Sequence, residues 1–313
     1  MNDVQRLKAA IQENMEKAVV GKGEVIDLLL TALIAQGHVL LEDVPGLGKT
    51  TIVSALAKSI DCSFSRIQFT PDVLPGDITG YTMPNLTTGE RSVVFGAVMA
   101  QVVLTDEINR TSPKTQSALL EVMQENQLTI DGVSYPVPAP FMVLATQNPV
   151  SAIGTYPLPE AQLDRFLMKI SLGYPTRAEE VEILQRHASG APLASLQSVA
   201  SAEQILAAIE ARQNIVCANR VSDYIVSIAE ATRSDERITL GVSPRGCLAL
   251  MEACRAKALL DGREYVIPDD VQALCVPVLA HRLVLNKQKN LRQESESDIL
   301  RSILRNLRVP GVS

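Results

Sequence analysis

The sequence predicts an α/β fold with a parallel sheet, followed by a smaller all-α domain. Three observations carry this expectation. Residues 38–42 form a short apolar strand that enters a Gly-rich turn and then a helix. Further short apolar runs alternate with helical segments through the first half of the chain, the order that a buried parallel sheet requires. From about Arg177 onward the periodicity is helical, with short connections only around Ala191, 239–244 and 262–268.

Taken in order, residues 5–18 and 24–36 carry helical spacing, 38–42 is the first strand, and 50–59 is the helix after the turn. Apolar runs at 66–69, 102–105 and 141–145 supply further strands, and Pro113–Glu125 is a helix that Ser112 caps and Pro113 opens. Residues 70–96 are rich in Pro, Gly and Thr and long for a connection, as functional loops are. Residues 128–137 carry Asp131-Gly132 between β-prone residues, a hairpin signal. The domains are accordingly placed at 1–172, with an insert at about 70–96 and a hairpin at about 126–140, and at 173–313.

A chain of 313 residues exceeds the size one core usually serves, and 46% hydrophobic with 20% charged residues is ordinary for a packed globular protein. The longest apolar stretch, 25–41, is broken by Asp27, Gln36, Gly37 and His38. The N-terminal helix is charged and lacks a leader-like core, so a cytoplasmic location without membrane insertion is expected. The cysteines Cys62, Cys217, Cys247, Cys254 and Cys275 form no C-x-x-C pair and are odd in number, and His38, His187 and His281 lie far apart. Neither a disulfide framework nor a zinc site is expected. A net charge of -6 opposes binding to nucleic acid. Arg301, Arg305 and Arg308 share a face opposite the apolar stripe of Ile299, Leu300, Ile303, Leu304 and Leu307, the pattern of a solvated face over a core.

The chemistry concentrates in Pro45-Gly46-Leu47-Gly48-Lys49-Thr50-Thr51. Glycines let successive backbone N–H groups curl around phosphate oxygens at a helix N-terminus. Lys49 is placed to neutralise the β- and γ-phosphates of ATP, and the Thr50 hydroxyl to ligate Mg²⁺. The pattern G-x-x-x-x-G-K-[ST] fails at its first position, where Asp43 replaces glycine. Asp tolerates left-handed geometry, provided that its carboxylate points away from the phosphates. The strand at 102–105 ends in Asp106 and Glu107, and alternation along a strand assigns the two different work. Asp106 is expected to hold Mg²⁺ through water and Glu107 to polarise the attacking water. A third strand ends near Asn148, which either contacts the γ-phosphate, orients the water, or forms a turn before Pro149.

Further motifs surround this centre: Gln68-Phe69-Thr70-Pro71-Asp72, Asp77-Ile78-Thr79-Gly80, Asp106-Glu107-Ile108-Asn109-Arg110, Gln116 to Glu121, Leu158 to Phe166, Ser243-Pro244-Arg245 and Gly262-Arg263. With the Gly46 to Thr50 loop they resemble the MoxR family of AAA+ ATPases over nearly the whole chain. The resemblance implies an AAA+ P-loop core with an α lid, ATP and Mg²⁺ as ligands, Lys49 and Thr50 as the Walker A pair, and Asp106 and Glu107 as the Walker B pair. It further implies Asn148 as sensor 1, Arg165 as arginine finger and Arg245 as sensor 2. The segment 70–96 corresponds to the helix-2 insert, and 128–137 to the pre-sensor-1 hairpin. Val20 and Gly21 join residues 45–51 and Asp106 in the nucleotide-binding set.

A guanidinium supplied by a neighbouring subunit can be worth on the order of 10³ to 10⁵ in rate. The alternative for either arginine is a surface ion pair, for which Asp164 is the adjacent partner of Arg165. Arg245 follows Ser243 and Pro244 in a first helical turn, where the dipole disfavours a cation; whether it serves its own site or a neighbour's stays open. Arg110 is a further candidate for contact across subunits.

The family also implies hydrolysis in a ring, hexameric by family habit, a von Willebrand factor A domain partner, and remodelling of an unidentified client complex. A non-hydrolysing assembly protein that uses ATP as a structural ligand is the main alternative, opposed by Glu107, Asn148 and Arg165. A GTPase is opposed by Asn286-Lys287-Gln288-Lys289, which lacks the Asp of N-K-x-D, and a small-molecule kinase leaves the helical domain without a purpose. A nucleic-acid translocase is opposed by the acidic balance and by only 4% aromatic residues.

Overall fold

The computed structural model describes residues 2–44, 46–84, 91–147, 155–188, 192–286 and 288–311. Two helices come first, α1 (Asp3–Glu16) and α2 (Gly23–Ile34), then β1 (Val39–Glu42), α3 (Lys49–Ser59) and β2 (Phe64–Gln68). The insert follows as α4 (Pro75–Thr79) and the antiparallel pair β3 (Gly80–Pro84) and β4 (Arg91–Phe95). β5 (Val102–Asp106) leads through a 3-10 turn at Ile108–Arg110 into α5 (Pro113–Glu125). The hairpin β6 (Gln127–Ile130) and β7 (Val133–Pro136), then β8 (Met142–Gln147), α6 (Glu160–Leu163) and β9 (Met168–Ile170) complete the α/β part.

Five strands form one parallel sheet in the order β2-β5-β8-β1-β9. Alternate side chains enter two cores. Val39, Leu41, Val102, Leu104, Met142 and Leu144 pack with α1, α2 and α3, whereas Leu40, Ile67, Val103, Val143 and Ala145 pack with α5 and Phe69. Burial on both faces is why these strands read as continuous apolar runs. Because the strands are parallel, Glu42, Gln68, Asp106 and Gln147 all finish at one edge, where α/β sheets bind ligands.

Local chemistry fixes the connections. Ser112 Oγ accepts from the Thr115 N–H at 3.3 Å to cap α5, with Pro113 in its first turn. Asp131 (φ 49°) and Gly132 (φ 82°) supply the two left-handed residues that the tight hairpin requires. β9 was not anticipated, and residues 70–84 and 91–96 hold a helical turn and a strand pair where only a loop was expected.

The remainder consists of α7 (Arg177–Ala188), α8 (Pro192–Ser195), α9 (Ala202–Arg212), α10 (Asn219–Ser234), β10 (Ile238–Leu240), α11 (Pro244–Leu260), α12 (Pro268–Leu279), a 3-10 turn at Ala280–Arg282, β11 (Val284–Leu285) and α13 (Glu296–Asn306). The antiparallel β10–β11 pair is an addition to an otherwise helical lid. α13 buries Ile299, Leu300 and Ile303 and exposes Arg301 and Arg305, the division its periodicity predicts. The lid shares one apolar cluster with the first helices: Ala253, Cys254, Leu274 and Val278 belong with Met15, Leu29 and Leu56. Lys8 of α1 reinforces the junction, 3.1 Å from both Asp27 and Asp261. All five cysteines are free; Cys254 and Cys275 are buried, and burial pushes the Cys275 thiol up to about 12. Among the described residues no helix is long and apolar enough to cross a membrane.

Candidate functional site

At the carboxyl edge of the sheet a cavity of about 390 Å³ is lined by Gly46, Gly48, Lys49, Thr50, Thr51, Arg66, Gln68, Asp106, Glu107 and Thr146. The Gly-rich loop and the acidic strand end thus meet in one cleft. Gly46 (φ 88°) and Gly48 (φ 83°) are left-handed, a conformation that side chains resist, and Gly48 heads α3 without a side-chain cap. Among the described residues no side chain caps the first N–H groups of α3, which stand at a positive helix end, the arrangement that receives phosphate. Lys49 Nζ donates to the carbonyl oxygens of Asp43 at 2.7 Å and Val44 at 3.3 Å.

Asp43 meets one of the two expectations for the departure from the motif. It does not take up left-handed geometry. Its carboxylate faces away from the cleft, accepting from Ser171 Oγ at 2.7 Å, the Leu172 N–H at 2.6 Å and the Gly173 N–H at 3.4 Å. The base of the loop is thereby fastened to the segment leaving β9. Lys22 Nζ grips the same segment, donating to the carbonyls of Leu172 at 2.7 Å and Gly173 at 3.1 Å. This contact ties Lys22, next to Val20 and Gly21, to the segment that holds Asp43, and neither Val20 nor Gly21 lines the cleft. Gly21 (φ 68°) lies against Glu179.

The two carboxylates are held by separate partners. Arg66 Nε donates to Asp106 Oδ2 at 2.7 Å, and Gln68 Nε2 donates to Glu107 Oε2 at 3.3 Å. Arg110 Nε lies 3.3 Å from the same Glu107 oxygen, so Arg110 is a neighbour of Glu107 within its own chain. One hydroxyl spans the pair: Thr146 Oγ1 accepts from the Glu107 N–H at 2.9 Å and donates to Asp106 Oδ1 at 3.2 Å. The strand ends at Asp106, and Glu107 takes a left-handed conformation (φ 57°), which costs a non-glycine residue roughly 1–3 kcal/mol and marks functional turns. That turn, rather than strand alternation alone, delivers both acids to one cavity. Arg66, Gln68 and Thr146 were not singled out as site residues; the alternation of Arg66 and Gln68 along β2 was the available signal.

Arg165 and Arg245 lie elsewhere. They line a second cavity of about 320 Å³ with Asp164, Arg282, His38, Asn126 and Glu252, and among the described residues none lines both cavities. Asp164 is not the ion-pair partner of its neighbour Arg165. It pairs with Arg282 at 2.8 Å and faces Arg245 at 3.8 Å, because α11 and the turn after α12 fold back over this loop. Arg245 occupies the first turn of α11, after Ser243, whose Oγ accepts from the Gly246 N–H at 3.2 Å. Pro45 and Asn148 lie outside the described residues.

Known proteins carry the same plan. Residues 38–168 match the ATPase family associated with various cellular activities (AAA), and residues 230–303 match the AAA lid domain. Fold and comparison together define an AAA ATPase with its lid. Chaperone MoxR1 of Mycobacterium tuberculosis is 41% identical over 99% of this chain and 84% of its own length. Protein MoxR of Methylorubrum extorquens is 30% identical over 99% of this chain and 97% of its own. A crystal structure from Cytophaga hutchinsonii superposes with a TM-score of 0.91 at 38% identity, covering 98% of this chain and 96% of that one. The chain belongs to the MoxR family of AAA ATPases.

Proposed function

We propose that this ATPase hydrolyses Mg-ATP in a ring of identical subunits, hexameric as its resemblance suggests, and uses the cycle to remodel partner protein complexes. The observation that carries the reading is the meeting of the Gly-rich loop with Asp106 and Glu107 in one cleft. The triphosphate lies along residues 45–51 against the N-terminus of α3, with Val20 and Gly21 toward the base. Lys49 leaves the carbonyls of Asp43 and Val44 for the β- and γ-phosphates. Glu107, steadied by Gln68 and Thr146, polarises the attacking water, and Asn148 contacts the γ-phosphate or that water. Thr50 and Asp106 both line the cleft and offer hard oxygen donors, which fit Mg²⁺. Bound there, the ion would neutralise charge developing on the phosphate oxygens.

The arginines Arg165 and Arg245 share a cavity remote from the loop of their own chain, which favours delivery of both to a neighbouring subunit's nucleotide. The division into a core at 1–172 and a lid at 173–313 follows the end of the sheet. Tyr81, Met83, Val94 and Phe95 of the insert are exposed, and Phe95 meets Tyr135 of the second hairpin edge-on at 5.2 Å. The two hairpins thus offer one apolar surface suited to a client or to a von Willebrand factor A domain partner.

Phosphate release and binding of a fluorescent ATP analogue test the reading together. Glu107→Gln is expected to retain nucleotide while turnover falls on the order of 10²- to 10⁴-fold, and Lys49→Ala to lose both. Unchanged turnover in either variant removes the assignment. The Glu107→Gln protein, loaded with ATP, is also the form in which partner and client should co-purify. A non-hydrolysing assembly role would be indicated by ATP-dependent assembly without phosphate release in the wild type.

A further inference from the structure

We infer that Arg282, in the turn after α12, is the positioning residue that seats Arg165 and Arg245 together, making lid orientation and arginine presentation a single variable. The inference rests on the reading that those two arginines serve a neighbouring subunit's site. The Arg282 side chain is only 3% exposed. Its Nε donates to Asp164 Oδ1 at 2.8 Å. Nη2 donates to the carbonyls of Asp164 at 3.3 Å and Phe166 at 2.8 Å, and Nη1 to the carbonyl of Leu167 at 3.2 Å and to that of Val278. One guanidinium therefore grips the backbone on both sides of Arg165 and ties it to the end of α12.

The same side chain supports Arg245 from beneath. A carbon added at Gly246 would lie 3.1 Å from Arg282 Cδ, so the first turn of α11 rests on the Arg282 stem. Asp164, held by Arg282, faces Arg245 at 3.8 Å. His281 adds to the seat, its Nε2 lying 3.1 Å from the Phe166 carbonyl. Burying a guanidinium is costly, and an apolar side chain would fill this junction of α11 and α12 more cheaply. What the planar fork supplies, and neither an apolar chain nor a Lys ammonium can, is several fixed directions at once. A displacement of the lid must move residues 164–167 with it. Arg282 is not among the described residues that line the phosphate cleft, so its loss should harm the arginine face and spare the loop.

Mixed rings separate these two faces. Lys49→Ala and Arg165→Ala subunits are each expected to be inactive alone and to regain turnover when mixed, because some interfaces then combine an intact loop with an intact finger. Arg282→Met alone is expected to keep wild-type affinity for a fluorescent ATP analogue within about twofold, with kcat lowered at least about tenfold and KM little changed. Mixed with Lys49→Ala it should regain turnover; mixed with Arg165→Ala it should not. The reverse pattern, or a large loss of ATP affinity in Arg282→Met alone, overturns the inference. If the Lys49→Ala and Arg165→Ala control pair stays inactive, the trans reading falls and takes the inference with it. If Arg282→Met fails to fold, Arg282→Lys keeps the charge without the fork and should show the same pairing pattern with a smaller loss of kcat. Wild-type kcat in a folded Arg282→Lys protein would show that direction plays no part.

Discussion

At the scale of single residues, His38 shows how a polar side chain becomes structural. Its Nδ1 accepts from the Val143 N–H at 3.0 Å and its Nε2 lies 2.8 Å from the Met123 carbonyl, so the ring is neutral with its proton on Nε2. Burial pulls its pKa from 6.5 down to about 4. The unfolded chain then binds more protons than the folded one between those values. Stability contributed by the neutral ring is complete above pH 6.5 and erodes as pH falls toward 4, by up to about 1.4 kcal/mol per pH unit. Urea midpoints measured from pH 7.5 to 4.5 should therefore fall less steeply in His38→Gln than in the wild type. His281, also buried and shifted downward, adds to the slope in the same direction and leaves part of it in His38→Gln. Equal slopes would show that His38 is not the group responsible. Residue roles of this kind were only half legible beforehand. Lys49, Asp106 and Glu107 announce themselves by local motif, whereas the partner of Asp164 stands 118 residues away at Arg282, beyond the reach of sequence spacing.

At the scale of elements, the insert depends on close backbone approach. A carbon added at Gly96 would lie 2.2 Å from the Ile78 carbonyl oxygen and 2.7 Å from the Gly80 nitrogen, so Gly96→Ala must push β4 away from α4. A loss of roughly 1–3 kcal/mol is expected from such crowding. It should appear as faster proteolysis within 80–96 and a lowered melting temperature, with nucleotide affinity unchanged; a wild-type cleavage rate would contradict it. The neighbouring hairpin and α5 were readable because Asp131-Gly132 and Ser112-Pro113 have few alternative conformations. β9 was not, since Met168-Lys169-Ile170 is too short to display a period and is a strand only because β1 lies beside it. The strands of the insert were hidden for a related reason: they pair with each other in a segment whose Pro and Gly content signals a loop.

At the scale of the whole molecule, the fold class followed from the alternation of buried strands and helices, because a parallel sheet covered on both faces leaves that pattern in any chain. The position of the lid could not follow, because it is set by one apolar cluster that joins α1–α3 to α11 and α12 across the length of the sequence. The loop lines one cavity and the arginines another, and on the proposed delivery of Arg165 and Arg245 to a neighbour a lone subunit lacks part of the catalytic set. Turnover per subunit should accordingly rise with protein concentration while ATP binding stays constant. Arg165→Ala should abolish that rise, lowering the plateau on the order of 10³-fold. Turnover per subunit independent of dilution would place the complete site within one chain.

The outward carboxylate of Asp43 has a consequence for kinship. A search that insists on glycine there would pass over this chain for the very residue that moors its loop to the segment leaving the neighbouring strand β9. Reversion to the commoner letter would be no repair, since glycine has nothing with which to hold Ser171 and Leu172. The Leu172 and Gly173 partners are backbone N–H groups that any residue but proline supplies, so the mooring depends on side-chain identity at position 43 and, through one hydroxyl, at 171.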